Sequence, residues 1–131
     1  RRFALYSVLL LDYKIADHHQ KMNFEKLSIE HILPQHPNTE TSQWCRNFTD
    51  SDREDWTNKL GNLVIIPGNK NTSLGNLDFP DKKERYFKSR VPTCPRLGNI
   101  YAAYSQWTLP DLKKNHEKSL SDLKNLFKIE G

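Results

Sequence analysis

A carboxylate and an imidazole stand side by side inside a short apolar run, Ile29-Glu30-His31-Ile32-Leu33, which Pro34 closes. A second run, Leu63–Ile66, follows Leu60-Gly61-Asn62 and ends at Pro67-Gly68. Apolar runs this short, bounded by Pro and Gly, read as strands, so Leu27–Leu33 and Leu63–Ile66 are expected to be the β-structure of the chain. Neighbours in a strand point to opposite sides. The apolar residues can therefore anchor the first run while its polar pair reaches into a site.

Around these runs the pattern is helical. Phe3, Tyr6, Leu10 and Tyr13 recur at spacings of three and four, which predicts a helix over about 2–17. Ser51-Asp52-Arg53-Glu54 matches a capping box and is expected to open a short helix through Lys59, ended by Gly61. Asp78 is expected to cap a helix from Pro80 to Ser89, with proline in its first turn. Aromatic Asn99–Trp107 and a final helix after Thr108 complete the series, the latter with Leu112, His116, Leu120, Leu123 and Phe127 as one stripe. Helix, strand, long loop, strand and then several helices make an α+β chain. We expect one domain over 1–131, its core at about 27–90 and its C-terminal helices over about 99–129.

No apolar run approaches the roughly 18 residues that cross a bilayer, and Leu9-Leu10-Leu11 is too short for a signal peptide. Cys45 and Cys94 are far apart and belong to no CxxC pair, so two reduced thiols in a cytoplasmic protein are expected. A chain beginning at Arg1 reads as a fragment of a larger protein. The formal net charge of +4 is weak evidence of a polyanionic partner. Its distribution says more: Lys82, Lys83, Arg85, Lys88, Arg90 and Arg96 crowd one segment against Glu84 alone. A solvated basic helix face would look the same.

Glu30 is a hard oxygen ligand suited to Mg²⁺, and His31 titrates close enough to neutrality to serve as a general base. With the amide-rich turn at Asn69-Lys70-Asn71, the parts of a metal-dependent phosphodiester-cleaving site are present.

These residues carry a family resemblance. Ile29-Glu30-His31-Ile32-Leu33-Pro34-Gln35 is similar to the acidic-His-Ile-x-Pro strand of the HNH (ββα-metal, or His-Me finger) endonucleases. With Trp56, Leu60–Leu63, Asn71, Phe79, Lys82 or Lys83, and Tyr86, the chain resembles one branch in particular. That branch is the C-terminal HNH domain of modification-dependent restriction and phage-defence proteins of the GmrSD and phosphorothioate-sensing kinds.

The resemblance implies a ββα-metal core with flanking helices and Mg²⁺-dependent cleavage of DNA, with Mn²⁺ as a substitute. It implies His31 as the base that takes a proton from water, and Glu30 and Asn71 as metal ligands, Asn69 being an alternative to Asn71. Asn62 would tie the loop between the strands and so hold the base. Lys82, Lys83, Arg85 and Lys88 are the expected contacts to the DNA backbone. It further implies an N-terminal part that senses modified DNA and hydrolyses nucleotide, although this chain has no GxxxxGK[ST] loop. One departure stands out: Asn115 occupies the position after Leu112-Lys113-Lys114 where that branch commonly carries Arg.

Other readings compete. An RNA-cleaving enzyme of the same fold and a DNA-binding module without catalysis are the alternatives. His18-His19 read as surface residues, His36 as a residue of the loop beyond the strand without an assigned substrate contact, His116 as a buried hydrogen-bonded one, and Trp44, Trp56 and Trp107 as anchors of core or loop.

Overall fold

The computed structural model describes residues 7–12, 27–38, 42–67, 75–88 and 95–130. Residues 7–12 are helical (α1); the rest of the helix expected over 2–17 lies outside the described residues. Two strands follow, β1 at Leu27–His31 and β2 at Leu63–Pro67. Between them come α2 at Gln43–Asn47, α3 at Asp50–Trp56 and a 3-10 turn at Leu60–Asn62. After them come α4 at Phe79–Lys88, α5 at Pro95–Ala103 and α6 at Leu109–Glu130. The architecture is α+β, with a two-stranded antiparallel sheet. Among the described residues no helix is long and apolar enough to cross a membrane.

The strands pair with Glu30 opposite Val64 and His31 opposite Leu63. Val64, Ile65 and Ile66 are wholly buried, so β2 is covered on both faces. An isolated two-stranded ribbon is marginal in water; here helices supply the cover. The expected strand Leu27–Leu33 stops two residues early, because Ile32 and Leu33 bend to hydrogen-bond Asn62. Both remain wholly buried.

The capping box of α3 uses Thr49 and Asp52, not the expected Ser51 and Glu54. Thr49 Oγ1 accepts from Asp52 N–H at 3.0 Å while Asp52 accepts from Thr49 N–H at 3.1 Å. The helix consequently starts earlier and ends at Trp56. The Asp78 carbonyl accepts from Lys82 N–H at 2.9 Å, the first turn of α4, while its side chain accepts from Gln43 N–H at 3.0 Å. The expected Asn99–Trp107 helix is shifted back to Pro95–Ala103, which frees Trp107 to enter the core. Phe79 lies between Trp107 (stacked, ring centroids 5.8 Å apart) and Tyr101 (5.3 Å), an aromatic wall that seats α4 against α5.

The final helix also differs from its expected stripe. Leu120 and Phe127 are exposed, and the packed face is Leu112, Asn115 and Ser119. The buried polar pair faces inward because it has partners there. Asn115 donates to Gly61 O at 2.8 Å, and Ser119 accepts from the buried Arg96 guanidinium at 2.6 Å. At Gly61 the helix comes so close that a Cβ would lie 2.4 Å from the backbone of His116, so only glycine fits.

Candidate functional site

His31 ends β1 and is half-buried. Its Nε2–H donates to Asn58 Oδ1 at 3.0 Å. Because that oxygen only accepts, the bond assigns the proton to Nε2 and leaves the lone pair on Nδ1. Burial holds the imidazole below its ordinary pKa; the Asn58 bond opposes this, and the nearby Lys82 charge adds to it. The ring is therefore neutral at neutral pH. Asn58 was missed in the sequence. It is an exposed residue just beyond α3, and nothing in its spacing marks it as the partner of a histidine twenty-seven positions earlier.

Asn62 ties together the chain around this imidazole. Its Oδ1 accepts from Leu33 N–H at 2.8 Å and from Trp107 Nε1–H at 3.2 Å. Its Nδ2 donates to Leu33 O at 3.0 Å and Thr57 O at 2.8 Å. All four hydrogen-bonding positions of the amide are filled, and a flipped amide would oppose donor to donor. The Asn62 backbone carbonyl also accepts from Ile32 N–H at 3.0 Å. Leu33, two residues after His31, and Thr57, just before Asn58, are thus fastened to one wholly buried side chain.

Glu30 points the other way from His31, as strand alternation requires. It is the expected metal ligand, and in the structure it faces inward. Its side chain is 3% exposed, and Oε1 accepts from Lys82 Nζ at 2.9 Å. Oε2 is buried with no hydrogen-bond partner, as is the hydroxyl of Tyr101, whose pKa is pushed up by burial first and then by the Glu30 charge. Burial pushes the Glu30 carboxyl up and the Lys82 ammonium down, each opposed by the charge of the other.

A divalent ion sharing that carboxylate would face the ammonium at about 4 Å, a repulsion of roughly 8 kcal/mol at an effective dielectric near 20. Mg²⁺ also keeps several waters, for which an enclosed carboxylate leaves no room. Glu30 does not fit a metal ligand. Among the described residues no cluster of three or more His, Cys, Asp or Glu could hold a metal ion. Asn69 and Asn71 lie outside the described residues.

Lys82 needs a correction. Expected on a DNA-facing surface, it is wholly buried. Phe79, Lys82 and Tyr86 fall at i, i+3 and i+7, the inward stripe of α4. Besides Glu30, its ammonium donates to His31 O at 3.1 Å and Ile32 O at 3.0 Å, and it lies 5.8 Å from the Trp44 ring centroid. Lys83 is half-buried and donates to Tyr104 O at 3.0 Å. Arg85 and Lys88 are exposed, with Lys88 2.7 Å from Glu84. Arg96, at the end of the basic segment, is buried against Leu63 O, Leu60 O and Ser119. Much of the basic run therefore serves the interior.

His116 is half-buried, and its Nδ1 accepts from Gly61 N–H at 3.0 Å. Its ring meets Trp56 edge to face at 5.6 Å, and Lys113 lies over the same indole. Trp44 donates to Leu77 O at 2.9 Å. The tryptophans anchor loops and helices, as expected.

Residues 2–121 match the family model described as GmrSD restriction endonucleases, C-terminal domain. No curated protein and no solved structure matches the chain.

Proposed function

The chain belongs to the C-terminal domain family of the GmrSD restriction endonucleases, and from that premise and the surroundings of His31 we propose an HNH-type DNA endonuclease domain with His31 as its general base. The family makes it a restriction-endonuclease domain and DNA its substrate class. The observation that carries the finer reading is the state of the imidazole: half-buried, neutral, and with its proton fixed on Nε2 by Asn58. Such a ring offers Nδ1 to a water: the water's proton passes to Nδ1, its oxygen adds to phosphorus, and the P–O bond to the 3′-oxygen breaks, that oxygen leaving with the bonding pair. The order β1, β2, α4 supports a ββα core.

Asn62 is read as a positioning residue rather than one that touches substrate. Asn71 remains the proposed ligand of a Mg²⁺ (or Mn²⁺), which would supply charge relief at the phosphate; Glu30 is withdrawn from that role. Arg85 and Lys88 are the proposed backbone contacts on α4. The Lys88–Glu84 pair is exposed on both sides, and such pairs contribute little, so Lys88 can exchange its partner for a phosphate. A sensor or NTPase part of the same protein and a cytoplasmic location complete the proposal.

The test is incubation of the chain with supercoiled plasmid, and in parallel with RNA, in Mg²⁺, Mn²⁺ or EDTA. Nicked or linear plasmid with either metal and none in EDTA is expected. Cleavage of RNA alone would overturn the substrate.

A further inference from the structure

We propose that Lys82 is a positioning residue for His31, and that Glu30 is its counter-ion rather than a metal ligand; this rests on the nuclease reading above. The ammonium is wholly buried and makes three hydrogen bonds, to the Glu30 carboxylate and to the carbonyls of His31 and Ile32. Those two carbonyls lie where β1 ends and the chain bends toward Pro34. At that point the ladder to β2 stops, since the register runs only from Leu27–Pro67 to His31–Leu63. Carbonyls at the end of a ladder need another donor where water is excluded. Lys82 supplies both at once from a different element, fifty-one and fifty positions away.

The clamp holds the backbone on which the imidazole stands, as Asn62 does from another element. Asn62 grips Ile32 and Leu33 from the loop before β2, and Lys82 grips His31 and Ile32 from α4. An ammonium buried to this degree needs a neighbouring negative charge, and strand alternation puts that charge at the residue before His31. The Glu-His pair thus divides its work: His31 faces the half-open side for chemistry, and Glu30 faces inward to make the clamp possible.

Two substitutions separate this assignment from its rivals. Glu30→Gln keeps an oxygen for Lys82 while removing the charge a Mg²⁺ or Mn²⁺ ligand would need. It is expected to leave Mn²⁺ affinity, read by calorimetry, unchanged, and to lower Tm because the buried ammonium loses its counter-charge. Lys82→Met removes the clamp without touching the surface. It is expected to lower kcat by about 100-fold at unchanged KM for DNA, the scale of a misplaced reacting group, and to lower Tm by about 10 °C.

The double variant should recover much of that Tm loss, because no charge is left unpaired, while kcat stays low. A merely structural lysine would give recovery of both. The imidazole resonances of His31, followed by NMR, should move in Lys82→Met and in the double variant alike, because both lack the clamp.

The proposal is overturned by a tenfold or greater loss of Mn²⁺ affinity in Glu30→Gln, which makes it a ligand. It is equally overturned by wild-type kcat in Lys82→Met, or by a raised KM with altered salt dependence, which makes Lys82 a DNA contact. If the wild-type chain cuts no nucleic acid, the nuclease reading fails by itself, and the His31 resonances still decide the clamp.

Discussion

Asn62 and Lys82 tether the same end of β1, one through a neutral amide with all four hydrogen-bonding positions filled, the other through an ammonium that needs a buried carboxylate beside it. The amide binds only backbone groups and one indole, so its network is complete without any charge. The ion pair leaves Glu30 Oε2 without a partner and draws its strength from two charges that burial opposes. A neutral knot can be broken but not bypassed, because the groups it satisfies belong to the main chain. An ion pair can be relieved by removing its second half, since most of the loss on breaking it is the charge left behind.

The largest effect should come from the neutral side. Asn62→Ala strands Leu33 N–H, Leu33 O, Thr57 O and the Trp107 indole N–H. At about 1–3 kcal/mol for each unsatisfied buried group, a loss of about 4 kcal/mol or more is expected in urea unfolding, together with loss of cleavage. Retained stability would mean that the knot is not what fastens β1 to the loop. Lys82→Met should lose slightly less, about 3–5 kcal/mol, with partial recovery on adding Glu30→Gln. No second substitution at a single site offers such recovery for Asn62, and that asymmetry is the comparison in its sharpest form.

The smallest stability effect is expected at Asn58. It is exposed, so Asn58→Ala should change unfolding by no more than about 0.5 kcal/mol. Its effect belongs to the imidazole. Loss of the bond that fixes the Nε2 proton should slow cleavage roughly 10–100-fold. Because that bond raises the His31 pKa, its removal should also carry the acid limb of the rate profile to lower pH. An acid limb displaced to higher pH would contradict the assigned bond.

Much of this was legible in the sequence because local signals and tertiary needs agreed. Both strands were expected within two residues of where they lie, since an apolar run closed by proline has few alternatives. The expectation for Asn62 came from the resemblance; its four bonds are read from the structure. Where two local signals overlapped, the wrong one was chosen: Thr49–Asp52 and Ser51–Glu54 both fit a capping box, and only the first is used.

Lys82 failed for a different reason. A run of cations reads as a surface, and its neighbours in sequence hide the fact that Phe79, Lys82 and Tyr86 share the inward stripe. Once Lys82 is inside, Glu30 has to follow, and its expected role as a ligand falls with that placement. Asn58 had no sequence signal, because its meaning lies in the approach of α3 to the end of β1.

The central claim is that His31 is the base, and the rate of plasmid cleavage against pH in wild type and His31→Ala tests it most directly. A base works unprotonated, and burial and the Lys82 charge hold its pKa below the ordinary 6.5. The wild-type rate should therefore be level at neutral pH and fall only as the pH drops through that lowered value. His31→Ala should be slower by about 10²–10⁴-fold, lack that limb, and keep the wild-type Tm and Kd for DNA. Wild-type turnover in His31→Ala would contradict the account.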